Sequence, residues 1–248
     1  MVGEALVSAL RDHYYPGSNT TPRVAVLNDT PAVLFSKVPE RKGENQLGVV
    51  DGTGFNIALL HNGVTYNLEA GSFSGLPLPL YALAMEHRYD NPGRDLAEKQ
   101  CSGKYVGDQF DYLTQSLIDK GILSGEKSST LDGHDMDQLL LGNSAFIEQK
   151  LGHTLTRDER TILTDLATRL RNRAALVVGL LVGMSVRTFT DGFGPDVKVP
   201  VEGSFFIKTP GLPEIASVVA SSVAGKPVDF LPGESLGIKG AVAAAASI

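Results

Sequence analysis

Three short stretches hold residue types suited to moving a group between a hydroxyl and an anion: Asn28-Asp29-Thr30, Asp51-Gly52-Thr53-Gly54-Phe55-Asn56 and Asn67-Leu68-Glu69. An aspartate held beside a hydroxyl can take its proton. Two glycines let backbone N–H groups turn towards an anion, and a threonine between them adds a hydroxyl. A glutamate at a strand end can accept hydrogen bonds from sugar hydroxyls. Each stretch also has a plainer reading. Thr30 or Asp29 can cap a helix with Pro31 in its first turn, and the local sequence favours that reading. Residues 51–56 can be an ordinary glycine turn, and Glu69 a solvated strand end. Glu98-Lys99, inside a helical stretch, reads locally as a surface pair. Gly237-Ile238-Lys239-Gly240-Ala241 opens the last helix, where N–H groups favour anions; its glycines could equally serve close packing.

Several other chemistries lack support. No GxxxxGK[ST] or GxGxxG run occurs, so the glycine turns are neither a P-loop nor a dinucleotide fingerprint. There is no GxSxG elbow for a serine nucleophile. Asp132, His134, Asp135 and Asp137 do not match an EF-hand loop and read as a solvated loop, with no metal. His13, His61, His87 and His153 are isolated. The single cysteine, Cys101, rules out an intrachain disulfide and suits a reducing cytoplasm. A net charge of −6 argues against a nucleic-acid partner. The apolar run at 174–186 is shorter than the ~20 residues of a membrane span. Its Gly179-x-x-x-Gly183 pair therefore reads as close packing inside a buried helix. The N-terminus has no basic leader or long apolar core and does not read as a signal peptide.

These residues need a scaffold, and 248 residues with 42% apolar content can bury one large core or two small ones. The spacing of Val2, Ala5, Leu6, Ala9 and Leu10 predicts a first helix, followed by a loop over 16–22 and a strand at Val24–Leu27. A further strand ends at the Gly52 turn, and Asn62-Gly63 predicts a hairpin between 55–60 and 64–71. Helical spacing covers 80–90 and 94–123. Residues 124–137 read as a polar loop. Thr156-x-x-Glu159 is a capping box opening a long helix towards Val186. Residues 197–208 read as a strand pair or bent strand. A helix, a short strand at 227–232 and an Ala-rich helix complete the chain. The order predicts one α/β domain with an inserted helical subdomain. In such sheets ligands gather at the carboxyl ends of strands.

Taken in order, LNDT, LGVVDGTGFN, NLEAGSF, NPGRDLAEKQCSGKYVGD, VEGSFFIKTPGLPEI and GIKGAVAAAA resemble the second half of a eukaryotic-type hexokinase. That family lies within the actin/hexokinase/Hsp70 superfamily. The resemblance covers nearly the whole chain and implies an actin-like ATPase (ribonuclease H-like) α/β fold, with residues 1–248 as the large domain. It implies an ATP-dependent hexose (glucose) 6-phosphotransferase that works with Mg2+, in the cytoplasm and off membranes. Asp29 would be the base that orients and deprotonates the sugar 6-hydroxyl, and Asn28 would hold the sugar. Asn56, Glu69 and Glu98 would bind further sugar hydroxyls. Thr53, with Gly52 and Gly54, would face the ATP phosphates. Ser204 and the turn Gly237, Lys239 and Gly240 would lie near the nucleotide. The family's first half, with its DxGGTxxR phosphate loop and small-domain sugar loop, has no counterpart here. A second chain supplying that small domain is one partner this implies, and a non-catalytic sugar- or nucleotide-binding fragment is the alternative function. The last turn also departs from the family's GSGKGAA, and Ala70 stands where a tryptophan is usual.

Overall fold

The structure is a computed structural model that describes residues 27–36 and 44–246. The helix expected at residues 2–10, the loop over 16–22 and all but the last residue of the strand at 24–27 lie outside them.

A short helix, α1 (Asp29–Phe35), comes first. Three strands follow as an antiparallel meander: β1 (Gln46–Asp51), β2 (Phe55–His61) and β3 (Val64–Asn67). The β2–β3 turn is the expected Asn-Gly hairpin. Asn62 and Gly63 both have positive φ, 51° and 75°, and His61 pairs with Val64.

The helices between β3 and β4 form the inserted layer: α2 (Leu80–Met85), α3 (Glu98–Cys101), α4 (Gly103–Asp119), α5 (Gly133–Leu140), α6 (Ala145–Leu151) and α7 (Arg157–Thr188). Two expectations change in form. Residues 133–137, the end of the stretch read as loop, instead open helix α5, because Asp132 caps it and Met136 and Leu139 turn a buried face inward. The stretch 197–208 is not all strand. It is β4 (Val197–Glu202), then a sharp bend at Gly203, then a five-residue helix, α8 (Ser204–Lys208). Gly203 has φ 139°, and a Cβ there would lie 2.0 Å from the Asp51 carbonyl oxygen. Contact this close leaves room for glycine alone. The chain ends with α9 (Leu212–Ala224), β5 (Val228–Pro232) and α10 (Leu236–Ala246).

The sheet order is β3-β2-β1-β4-β5, with β4 parallel to β1 and β5 parallel to β4. Strand residues alternate between its two faces. Leu47 and Val49 join the main core with Cys101, Val106 and the α7 and α9 side chains. Gly48 faces the other way, where a Cβ would meet Leu34 of α1 at 2.6 Å. On that face α1 packs against α10. On the core face α7 packs against α9 through the glycine pair. A Cβ on Gly179 or Gly183 would come within 2.6 or 2.7 Å of the Ala216 or Ala220 carbonyl. The small residues therefore serve helix packing within the core, as the sequence suggested. No helix among the described residues is long and apolar enough to cross a membrane.

Candidate functional site

The fold brings three of the sequence-predicted residues together around the start of β2. Asn56, the second residue of β2, accepts the Ala70 N–H at 3.0 Å and donates to Asn67 Oδ1 at 2.7 Å. Asn67 in turn donates to Glu69 Oε1 at 2.6 Å. Glu69 sits in the left-handed region (φ 48°, ψ 45°) at the head of a short 3-10 turn, Ala70–Ser72, an uncommon conformation for a residue with a side chain. That turn also receives α3, because Ala97 N–H donates to the Gly71 carbonyl. Glu98 follows, and its Oε2 accepts the Phe55 N–H at 3.0 Å. Two glycines make way for it. A Cβ on Gly54 would lie 3.0 Å from Glu98 Oε2, and one on Gly71 would lie 3.1 Å from Glu98 Cβ. Asn56 and Glu69 are thus linked through Asn67, and Glu98 is fixed to the backbone one residue before Asn56.

Glu98-Lys99 is not a surface pair. Lys99 is only 1% exposed. Its ammonium bonds Glu86 at 3.1 Å and the Asn91 carbonyl at 2.8 Å, and lies 5.0 Å from the centre of the Tyr89 ring. A buried cation needs such partners. Here they clamp the 86–91 segment to α3 beneath Glu98.

Asn28 and Asp29 lie at the start of α1, both exposed. Asn28, rather than Thr30 or Asp29, is the cap, accepting Thr30 N–H at 3.3 Å. Asp29 Oδ1 accepts the Thr30 N–H at 2.7 Å and the Thr30 hydroxyl at 3.2 Å. Thr30 to Leu34 are buried, so the exposed carboxylate stands on a fixed helix end. No hydrogen bond joins Asp29 to the Asn56–Glu98 grouping.

The second site is a cavity of about 480 Å3 where four segments meet. The β1–β2 turn contributes Gly52 and Thr53, α4 contributes Gly103 and Lys104, α8 contributes Ser204 and Lys208, and α5 contributes His134 and Asp137. Gly54 lies behind the turn, its carbonyl accepting the Gly52 N–H at 2.9 Å. A smaller cavity of about 220 Å3 continues past Ser204 and Lys208 to Glu202, Glu234 and Ser235. Two lysines, two hydroxyls and glycine turns make a surface suited to phosphate. Lys104, Lys208 and Asp137 were not singled out by sequence reasoning as members of such a site. Only the family-like runs SGKYVGD and SFFIK pointed towards the lysines.

Gly237, Lys239 and Gly240 line neither cavity. The Gly237 N–H donates to Glu202 Oε2 at 2.7 Å, so a carboxylate of the chain already holds that helix start. A Cβ on Gly240 would fall 1.6 Å from the Ala32 carbonyl oxygen, which makes it the contact point between α10 and α1. Lys239 reaches the Glu234 carbonyl at 3.4 Å.

One carboxyl is out of place. Asp51, directly before the Gly52 turn, is wholly buried, and neither of its oxygens has a hydrogen-bond partner. Burial, and then the neighbouring Glu98, push its pKa well above the ordinary carboxylate range. Burial, and then the carboxyls of Asp51 and Glu98, likewise raise the Cys101 thiol.

The residues from Asp132 to Asp137 divide their roles. Asp132 caps α5 through His134 and Asp135, and Asp135 returns a bond to Asp132 and pairs with Lys150 at 2.6 Å. Asp137 instead faces the cavity, where burial pushes its carboxyl up to about 6 against the opposing pull of Thr209 and His134. Among the described residues no group of three or more histidine, cysteine or acidic side chains is placed to hold a metal ion.

A family model described as hexokinase matches residues 46–247. Hexokinase-3 of Mus musculus is 26% identical over 88% of this chain but only 27% of its own length. Hexokinase-1 of Saccharomyces cerevisiae is 24% identical over 90% of this chain and 54% of its own. The chain therefore spans between about a quarter and about half of these relatives. Among solved structures, a Schistosoma mansoni hexokinase complexed with glucose superposes with a TM-score of 0.78 at 23% identity, over 91% of this chain and 58% of that one. A ROK family glucokinase from Streptomyces griseus in complex with glucose and AMPPNP superposes with a TM-score of 0.61 at 12% identity, over 98% of this chain and 72% of that one. These likenesses show the actin-like ATPase fold.

Proposed function

The chain belongs to the hexokinase family, and on that premise we propose that it is the large-domain half of an ATP-dependent hexose 6-phosphotransferase. The observation that carries this reading is the grouping of Asn56, Glu69 and Glu98 around the start of β2, where Asn56 is linked to Glu69 through Asn67 and Glu98 holds the Phe55 N–H, beside a phosphate-suited cavity. Their carboxylates and amide are suited to grip glucose hydroxyls, and Asn28 at the α1 cap adds a further contact.

In this reading Asp29 accepts the proton of the sugar 6-hydroxyl. The freed oxygen forms a bond to the γ-phosphorus as the bond from phosphorus to the bridging oxygen breaks, and ADP leaves. Such transfers depend on positioning and charge neutralisation more than on covalent help from the protein. Thr53 and Ser204, with Lys104 and Lys208 beside them, are the groups suited to the phosphates. A Mg2+ ion bound with the nucleotide would neutralise the charge of its phosphates.

Full activity would need the complementary small domain to close the cleft and exclude water. The setting we infer is cytoplasmic sugar phosphorylation feeding glycolysis. The share of its relatives that the chain spans favours a second reading, a non-catalytic sugar- or nucleotide-binding fragment. Residues 1–248 should be incubated with glucose and Mg-ATP, alone and with an added hexokinase small domain, while ADP is followed. Turnover that Asp29→Ala abolishes supports the kinase. Glucose binding without turnover under either condition supports the fragment. Turnover unchanged by Asp29→Ala removes Asp29 from the mechanism.

A further inference from the structure

Lys104, Asp108 and Tyr112 recur every four residues along α4, which puts them on one face of that helix. Tyr105 stands beside them, and the segment after α2 brings Arg88 and Asp90 to the same place. Together they line a cavity of about 500 Å3, within the range of small-molecule sites. Of these six residues only Lys104 also lines the phosphate-suited cavity.

What marks the cavity is that its polar groups are unpartnered. Among the described residues, the side chains of Arg88, Asp90, Lys104, Tyr105, Asp108 and Tyr112 make no hydrogen bond and no ion pair, although charges of both signs share the space. The cations rest on rings instead. The Arg88 guanidinium lies 4.6 Å from the centre of the Tyr112 ring, and the Lys104 ammonium 5.0 Å from that of Tyr105. Nearby polar groups are committed: Asp111 holds Lys127 and the Leu131 N–H, and Asn91 donates to Asp95. Asp108 is half-buried, yet its oxygens are open to solvent, as are the Tyr105 and Tyr112 hydroxyls. Burial raises the Asp108 carboxyl against the pull of Lys104, so this carboxylate has lost part of its water without gaining a donor.

The mixture of charges decides the class of ligand. An anion drawn to Arg88 and Lys104 would meet Asp90 and Asp108, and a cation would meet the reverse. Hydroxyl groups escape the conflict, since each can donate to a carboxylate and accept from a cation or a phenol. We propose that this cavity is a carbohydrate site separate from the one described above, taking an uncharged disaccharide whose hydroxyls donate to Asp90 and Asp108 and accept from Arg88, Lys104 and Tyr105. The inference does not depend on the kinase reading.

The test is titration calorimetry of the full chain with maltose, cellobiose and trehalose, for wild type, Asp108→Ala, Asp108→Asn, Arg88→Ala and Glu69→Ala. At least one disaccharide should bind wild type and Glu69→Ala equally, and bind Asp108→Ala and Arg88→Ala about ten-fold more weakly. Asp108→Asn, which keeps the shape and one acceptor, should lose less. Glucose should bind Asp108→Ala as it binds wild type. Disaccharide binding that Glu69→Ala weakens and the Asp108 and Arg88 variants leave intact overturns the inference, as does failure of all three sugars to bind at millimolar concentration. Glycine and inorganic phosphate serve as charged controls, and binding of either that Arg88→Ala removes overturns it as well. A wild-type chain that binds a disaccharide in this pattern but no glucose supports this site and counts against the Asn56, Glu69 and Glu98 grouping alone.

Discussion

Glu98 Oε2 accepts the Phe55 N–H at 3.0 Å, joining the first residue of α3 to the first residue of β2. One carboxylate oxygen thus fixes the loop that carries Thr53, while in the proposed function the carboxylate also meets the sugar. Glu98→Gln keeps an acceptor for Phe55 but loses the charge. Its glucose affinity, measured by calorimetry, should fall about ten-fold with the melting temperature nearly unchanged. Glu98→Ala strands a buried N–H and should also lose about 1–3 kcal/mol of stability.

Asp51 sets up a pH dependence of known sign. Its folded-state pKa is raised. Below its ordinary value both states hold the proton and there is no penalty. As pH rises past that value the unfolded chain ionises while the fold must keep the proton, so stability falls until the folded group also titrates. Asp51→Val removes two unpartnered oxygens from the core. Chemical denaturation should show it more stable than wild type by about 1–3 kcal/mol at pH 8, with a smaller gain at pH 4.

Glu159 runs the opposite way. It closes the capping box of α7 with Thr156 and also accepts the Ser124 N–H at 2.8 Å. Those backbone bonds lower its carboxyl to about 2. The stability it contributes is present above the ordinary glutamate value and is lost as pH falls from there through about 2. Glu159→Gln should cost about 1–2 kcal/mol at pH 7, and the gap from wild type should close on acidification, read by thermal melts between those limits.

Gly240 and Gly237 separate packing from ligand binding. An added methyl on Gly240 would overlap the Ala32 carbonyl at 1.6 Å, so Gly240→Ala must push α10 off α1. It should lose about 3 kcal/mol or more, or fail to accumulate as folded protein. On Gly237 the methyl meets only Glu202 Oε2, at 3.2 Å. Gly237→Ala should stay within about 1 kcal/mol in denaturation and bind ATP as wild type does.

The features that sequence reading placed best are those decided within a few residues. The Asn62-Gly63 hairpin and the Thr156–Glu159 box are local, and both occur as expected. Where the outcome depended on distant neighbours, local reading went astray. SFFIK has a strand's composition, yet the bend at Gly203, pressed on the Asp51 carbonyl, sends it into a helix. Lys99 looks solvent-exposed until Glu86, Asn91 and Tyr89 surround it. The grouping of Asn56, Glu69 and Glu98 was legible through the order of family-like runs. The cavity was only partly so, because Thr53, Lys104, Asp137 and Ser204 come from four segments that only the sheet brings together.

The parallel pairing of β1 with β4 sets the timetable of synthesis. Val49 meets Val201, about 150 residues further along the chain. The turn at Thr53 is therefore finished early, but it cannot face Ser204 until most of the polypeptide has left the ribosome. At roughly 5–20 residues per second the interval is on the order of ten seconds. Throughout it the β1 edge that later receives β4 is a bare row of backbone donors and acceptors, open to pairing with a neighbouring nascent chain. Slow refolding and dependence on chaperones during production should follow from that single strand pairing.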